Sequence, residues 1–252
     1  MKLTVFGCSG AEMPGHRPPG FLIDEAWMLD AGTVTSVLSD EAQKRIRHIF
    51  ITHAHLDHVR SIPALADNLI LGQRTGVVRL YGIRPVLETV RNHLLNDGLW
   101  PDFTRIPSAE DPVMAYVEME DEAWMDVDGL RVKAVSVHHS VPAAGYVLEK
   151  DGMVMLYTGD TGPTHAIWAS APKVDAALIE VSFPDRMEDM AIKTGHLTPA
   201  LMRLELEKMA DTPGQILVTH MKPQYRDELM GELIGLGLPG LTVMREDDVF
   251  EI

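Results

Sequence analysis

The chain has 252 residues, 46% hydrophobic and 23% charged, the balance of a soluble globular protein long enough to bury a substantial core. Its 37 acidic residues against 22 basic give a formal net charge of −15, which disfavours a surface that tracks the phosphates of a long nucleic acid. A single cysteine, Cys8, excludes an intramolecular disulfide and a cysteine-built zinc site, so any metal must be held by nitrogen and oxygen.

In chain order, short apolar runs alternate with longer amphipathic stretches, the pattern of a layered α/β protein. LTVFG, GFLID and AWMLDAG are expected strands, followed by a helix over TVTSVLSDEAQK and a strand over IRHIFITH. HVRSIPALADNLI reads as a helix weakened after its first turn by Pro63, and VRLYG and RPVLETVRNHLLND give the next strand and helix. Trp100 to Asp128, with three prolines and many acids, reads as an irregular connection. LRVKAVSVHH, AGYVLEK, VMLYTGD, AALIEVSF and QILVTH are the remaining strands, with a helix over LTPALMRLELEKMA before the last. No segment reaches the roughly 20 apolar residues that span a bilayer, and MKLTVFGCSG lacks a charged stretch leading into an apolar run. One domain over residues 1–252, located in the cytoplasm, is the expectation.

Chemistry concentrates in IFITHAHLDHV, residues 49–59, where His53, His55, Asp57 and His58 place four potential ligands in six positions. A regular helix would point His53 and His55 about 200° apart, and a regular strand would put Asp57 and His58 on opposite faces. A strand end turning sharply into a helix can gather all four, and strand ends are where α/β proteins tend to place ligands. Imidazole and carboxylate suit zinc, iron or manganese. Four donors exceed what one small ion with an open position needs, which points to two ions and to further ligands elsewhere. His138-His139, Asp160 and His220 each follow an expected strand and supply them. Ile216-Leu-Val-Thr-His220 also echoes Ile49-Phe-Ile-Thr-His53, as a fold of two similar halves would.

HxHxDH, then a strand-end His, a Gly-Asp and a final His, resembles the metallo-β-lactamase superfamily of dinuclear metallohydrolases; the opening FLIDEAWMLDAGT, with Asp30 and Gly32, resembles its N-terminal hairpin. The resemblance implies a four-layer αββα sandwich. It implies that His53, His55 and His139 hold one divalent ion and Asp57, His58 and His220 a second, with Asp160 bridging them; zinc is the expected metal, with manganese and iron(II) as alternatives. His139 is preferred to His138 because His139-Ser-Val-Pro-Ala-Ala-Gly-Tyr resembles the phosphodiesterase members. Glu180 in LIEVSF, His196 in TGHLTP, and THMKPQY resemble the branch that includes RNase Z and the class II cyclic-nucleotide phosphodiesterases. There His196 is the implied proton donor, steadied by Glu180 or Asp57.

RNase Z enzymes typically insert a tRNA-gripping arm between the third-motif His and the bridging Asp, whereas His139 and Asp160 are 21 positions apart. Leu80-Tyr-Gly-Ile-Arg84, the stretch from His93 to Phe103 and the HLDH form of the metal motif resemble the class II phosphodiesterases instead. The pattern departs at Val59 to Asp67. The expected activity is hydrolysis of 3′,5′-cyclic nucleotides to 5′-monophosphates by a water that two cations about 3.5–4 Å apart acidify. The expected partner is a small anionic substrate; Trp100, Phe103 and Tyr225 are available to stack on a base, with a plain packing role the favoured reading for each; no membrane is expected, and a second copy of the chain remains open as a partner. The alternatives are another phosphodiester, as in RNase Z, a thioester, lactam or lactone, and an inactive sensor that keeps the fold. His16, His48, His93 and His165 are expected to be structural.

Overall fold

The computed structural model describes residues 1–74, 76–170 and 173–252. The strands of the first half are β1 (Lys2–Gly7), β2 (Gly20–Ile23), β3 (Trp27–Leu29), β4 (His48–Phe50), β5 (Val78–Gly82) and β6 (Met114–Glu118). Those of the second are β7 (Trp124–Val127), β8 (Leu130–Ser136), β9 (Ala144–Lys150), β10 (Met153–Tyr157), β11 (Ala176–Glu180), β12 (Gln215–Thr219), β13 (Leu241–Val243) and β14 (Val249–Glu251). The helices are α1 (Asp40–Gln43), α2 (Leu56–Val59), α3 (Ser61–Leu71), α4 (Arg84–His93), α5 (Ala166–Ala169), α6 (Glu188–Thr194), α7 (Pro199–Leu206) and α8 (Arg226–Gly235).

Among the described residues the strands form two seven-stranded sheets, ordered β14-β1-β2-β3-β4-β5-β6 and β13-β12-β11-β10-β9-β8-β7. In each, one part is antiparallel and the other parallel: β3 to β6 in the first, β10 to β13 in the second. Alternation of side chains along each strand supplies two apolar faces per sheet. Phe21, Phe50, Leu130, Tyr146 and Leu217 meet between the sheets. Ile49 and Leu80 face outward to Ile62, Leu65, Val86 and Val90 of α3 and α4, and Ile179 and Ile216 face outward to Trp168, Leu201 and Leu229 of α5, α7 and α8. The layers are therefore helix, sheet, sheet, helix, as the sequence resemblance implied.

Local differences from the sequence reading have physical causes. The helix expected over residues 33–44 forms only at α1, because four β-branched residues in TVTSV disfavour a helix and the Ser39 hydroxyl caps a new start by accepting from Ala42 N at 3.3 Å. Pro63 does not weaken α3: it occupies the first turn, where the missing N–H has no intrahelical partner to lose. The expected irregular stretch at 100–128 contains β6 and β7, whose pairing with β5 and β8 overrides a composition poor in apolar alternation. Helix α8, absent from the sequence reading, buries only Leu229 and Leu233, too sparse a stripe to stand out beside Gly231 and Gly235. Arg60, where the family pattern breaks, binds Gly32 O through Nε at 3.0 Å and pairs with Glu12, fastening α3 to the loop before β2.

His48 is a core residue. Its Nδ1 lies 3.1 Å from the Tyr81 hydroxyl and its Nε2 2.9 Å from Asp128 Oδ2, so the neutral ring donates from Nε2 and accepts at Nδ1. Burial holds its pKa below the ordinary imidazole value, Asp128 opposing. A depressed folded pKa means the unfolded chain takes up the proton first, so this contribution to stability is complete above about pH 6.5 and is lost as pH falls. His48→Phe is expected to cost about 1–3 kcal/mol at pH 7.5 and to flatten the decline in stability between pH 7 and 5.5, read by urea unfolding across that range. An unchanged slope in the variant would contradict this assignment.

Candidate metal centre

The site lies where strands end. Asp30 follows β3, the segment His53–His58 follows β4, His139 follows β8, Asp160 follows β10, Glu180 closes β11 and His220 follows β12. Most of these strands run parallel to a neighbour, so their C-terminal ends open onto one edge of the sandwich, the usual location of ligand sites in such sheets. Two of these residues, Asp30 and His220, have left-handed backbones with φ of 55° and 64°. Non-glycine residues hold this conformation only where their surroundings over-determine it.

Two sets of ligand atoms converge. In the first, His55 Nδ1 lies 3.0 Å from His53 Nε2 and 3.3 Å from His139 Nε2. In the second, His58 Nε2 and His220 Nε2 are 3.4 Å apart, and Asp57 Oδ2 is 3.6 Å from the latter and 3.9 Å from the former. Asp160 stands between the sets: Oδ2 is 3.8 Å from His53 Nε2 and 3.3 Å from His220 Nε2, and Oδ1 is 3.5 Å from His58 Nε2. His138 is exposed, outside this convergence.

The hydrogen bonds behind the rings fix their tautomers. His139 Nδ1 is 2.7 Å from Gly195 O, and a carbonyl only accepts, so the proton sits on Nδ1 and Nε2 is bare. That carbonyl is placed by Gly195, the left-handed C-cap of α6 at φ 72°, where an added Cβ would lie 2.8 Å from His139 Cα. His58 Nδ1 donates to Asp30 Oδ2 at 2.8 Å. The Thr52 hydroxyl donates to Asp30 and accepts from His53 Nδ1 at 3.0 Å. The Ser182 hydroxyl donates to Glu180 Oε2 at 3.0 Å and accepts from His220 Nδ1 at 2.9 Å. Four rings therefore aim bare Nε2 atoms inward, each with its other nitrogen anchored, as metal-ligating histidines require.

These residues fit a pair of divalent cations. Facing Nε2 atoms on His58 and His220 need either a shared proton or a bound cation between them, and His55 Nδ1 could donate to only one of its two neighbours. The Asp160 Oδ1 atom is buried and, among the described residues, has no hydrogen-bond partner, an arrangement that a bound ion resolves. Burial, with His58 adding to it, holds His53 well below the ordinary imidazole range, and burial lowers His55 and His139, which favours their neutral forms. Burial works against ionisation of Asp160, but His220 and His58 outweigh it and hold the carboxyl well below its usual range. For His58, Asp160 and Asp30 overcome burial and raise its affinity for a proton that a cation would displace.

Beside this cluster, His196 Nδ1 donates to Glu180 Oε1 at 2.8 Å, and the ring is 8% exposed. Burial alone would depress its pKa, yet the Glu180 carboxylate outweighs burial and raises it. Of the two partners left open by the sequence, Glu180 holds this ring, whereas Asp57 faces His220 and His58. Three participants carried no role in the sequence reading: Asp30, Thr52 and Ser182. The first could have been suspected from its place in the hairpin; Thr52 and Ser182 only from the repeat of a hydroxyl before or between ligand residues. Of the aromatic candidates, Phe103 is buried in the outer core and Trp100 lies on the loop after α4; Tyr225 approaches the site through Phe183, whose ring centroid is 5.7 Å from that of His196.

Because bound imidazoles must be deprotonated, zinc or manganese added to chelator-treated protein is expected to raise Tm, by about 2.7 kcal/mol of stabilisation at a hundredfold excess over Kd, and by less at pH 6 than at pH 8. Thermal scans at both pH values test this; no metal-dependent shift at pH 8 would rule the site out as a metal centre.

The "Beta-lactamase superfamily domain" model matches residues 21–221. A 3′,5′-cyclic-nucleotide phosphodiesterase of Aliivibrio fischeri is 26% identical over 272 residues, covering 87% of this chain and 80% of the relative. A Ribonuclease Z of Bradyrhizobium diazoefficiens is 24% identical over 284 residues, covering 90% and 91%. The crystal structure of unliganded yeast PDE1 superposes with a TM-score of 0.83 at 16% identity, covering 98% of each chain. The chain belongs to the β-lactamase superfamily and has the metallo-β-lactamase fold.

Proposed function

We propose that this chain is a metal-dependent phosphodiesterase acting on a small nucleotide diester, with 3′,5′-cyclic nucleotides as the favoured substrates and 5′-monophosphates as products. The carrying observation is the buried pair His196–Glu180 beside the ligand cluster. An alkoxide leaving a phosphodiester needs a proton, which a positioned imidazolium gives; a departing thiolate does not. The named activity of the Aliivibrio relative supports the same choice.

In this reading His53, His55 and His139 would hold one cation and Asp57, His58 and His220 the other, Asp160 would serve both, and the whole of residues 1–252 works as one domain. Zinc fits this nitrogen and oxygen set, as do manganese and iron(II). When bound, two divalent ions acidify water and neutralise phosphoryl oxygens. Glu180 keeps the proton of His196 on Nδ1 directed at itself and raises the affinity of the ring for a second proton, the one delivered from Nε2. Ser182 links Glu180 to His220, so the proton donor and one ligand ring share an anchor. A buried lone Cys8 and a nucleotide substrate fit a cytoplasmic setting.

The Ribonuclease Z relative favours a second reading, endonucleolytic cleavage of RNA. Against it, β9 and β10 join through the tight turn Asp151-Gly152, with no arm inserted between His139 and Asp160. Side-by-side turnover of cyclic AMP, bis(p-nitrophenyl) phosphate, a precursor tRNA, a thioester and a β-lactam separates the readings, and activity on the thioester alone would sink the proposal.

His196→Ala is expected to keep its metal content and lose about 10²–10⁴-fold in kcat on cyclic AMP, with a smaller loss on bis(p-nitrophenyl) phosphate, whose leaving group needs no proton. Equal losses on both would point to a structural role. Glu180→Gln removes the charge that raises the His196 pKa. Activity that needs protonated His196 falls as pH rises through that pKa, so the alkaline limb of the kcat profile should move to lower pH in this variant; an unmoved limb would separate Glu180 from the proton donor.

A further inference from the structure

His196 fixes where the leaving oxygen must be, and therefore which wall faces the part of the substrate that carries it. The Phe183 ring lies edge-on to His196, 5.7 Å between centroids at 68°. Tyr225 continues the wall, 6.3 Å from Phe183 at 45°. Both rings are half-buried, whereas Phe21, Phe50, Tyr146, Tyr157 and Trp168 are fully enclosed in the cores. Neither stacks on the other, and each has one face backed by a cation: Lys222 Nζ is 5.9 Å from the Phe183 centroid and the Arg186 guanidinium 5.5 Å from that of Tyr225. Both cations are tied in place, Lys222 to Gly10 O at 2.5 Å and Arg186 to both oxygens of Glu228 at 2.8 and 3.0 Å. The segments that carry the rings, Ser182 to Met187 and Met221 to Tyr225, start within two residues of the ends of β11 at Glu180 and β12 at Thr219, so the wall is built beside the proton donor.

Resting on the phosphodiesterase reading, we propose that Phe183 and Tyr225 form a nucleobase ledge on the leaving-group side of the cluster, which binds the planar base by stacking and sets a preference for nucleotides over diesters without a base. A half-exposed ring backed by a tethered cation keeps its orientation with little further loss of rotamer freedom, and every base offers a π-face, so the ledge discriminates base from no base more than one base from another. Lys222 and Arg186 act as positioning residues that hold the rings.

The test uses the metal-reconstituted protein and variants Phe183→Leu, Phe183→Trp and Tyr225→Leu. The ratio of kcat/KM for cyclic AMP to that for ribose 3,5-cyclic phosphate lacking the base is expected to fall about tenfold in Phe183→Leu and Tyr225→Leu and to be kept in Phe183→Trp. Calorimetric binding of adenosine 5′-monophosphate against ribose 5-phosphate gives a readout independent of turnover, in which the same variants lose the same preference. Should the wild type hydrolyse bis(p-nitrophenyl) phosphate but no cyclic nucleotide, the cyclic-nucleotide reading fails while the calorimetric comparison still decides the ledge. Parallel loss on both ligands of each pair, or a wild type without preference for the base-bearing ligand, would overturn it.

Discussion

The carboxylate of Asp30 is the contact on which the rest of the site depends. It is fully buried and accepts from Thr52 N at 2.8 Å, the Thr52 hydroxyl at 2.9–3.0 Å, His58 Nδ1 at 2.8 Å and the Tyr157 hydroxyl at 2.8 Å. A buried charge is costly unless every lone pair is engaged, and here charge-assisted bonds engage both oxygens. The donors come from both halves of the sandwich: Thr52 and His58 follow β4 in the first sheet, and Tyr157 ends β10 in the second. The carboxylate therefore joins the sheets at the edge where the ligands emerge, and it turns the loop after β4 so that His53 and His58 face the same way.

The second half solves the same problem with different residues. Glu180, also fully buried, orients His196 directly and His220 through Ser182. Thr161 N, one residue beyond Asp160, donates to Glu180 Oε1 at 3.2 Å, so Asp160 and His196 are both placed by one group. Each half thus uses one enclosed acid, one hydroxyl relay and two imidazoles. The relay matters because a hydroxyl can donate to the acid and accept from the ring at once, which fixes a tautomer without placing a second charge beside the ligands. Ile49-Phe-Ile-Thr-His53 and Ile216-Leu-Val-Thr-His220 each bring a Thr-His pair to the site edge, but only Thr52 is a relay: the Thr219 hydroxyl donates to Cys8 O at 3.2 Å, and Ser182 takes that part for His220.

What the sequence made legible follows the same division. Ligand-type residues at strand ends were readable because the types are few and their positions after apolar runs obey one rule. The inner strands were readable because burial on both faces leaves unbroken apolar runs, as in AALIE of β11. Edge elements were not: β6, β7, β13 and β14 owe their form to pairing with a neighbour, and their sequences carry little alternation. Nor were the relays Thr52 and Ser182, because a lone hydroxyl just past a strand is equally suited to packing or bonding its own backbone. Arg60 to Asp67 departs from the family pattern yet folds as an ordinary helix, with Arg60 serving to bind the loop at Glu12, so the departure concerns fastening rather than the ligand cluster.

The two kinds of residue at the site sit in different mechanical settings, and this separates what is fixed from what can vary. The ligand rings are anchored by enclosed carboxylates and hydroxyls whose replacement leaves buried groups unpaired, which is costly. Phe183, Tyr225, Lys222 and Arg186 are half-buried or exposed, and Lys222 and Arg186 bond to the Gly10 carbonyl and the Glu228 carboxylate rather than to the cluster, so substitution there leaves the cluster anchored. Specificity on the leaving-group side can therefore change within a few residues after β11 and β12 while the ligand cluster stays as it is. The chain has comparable similarity to a relative named 3′,5′-cyclic-nucleotide phosphodiesterase and to one named Ribonuclease Z, and in the function proposed above the short segments that follow Glu180 and His220 are where a change of leaving group would be accommodated.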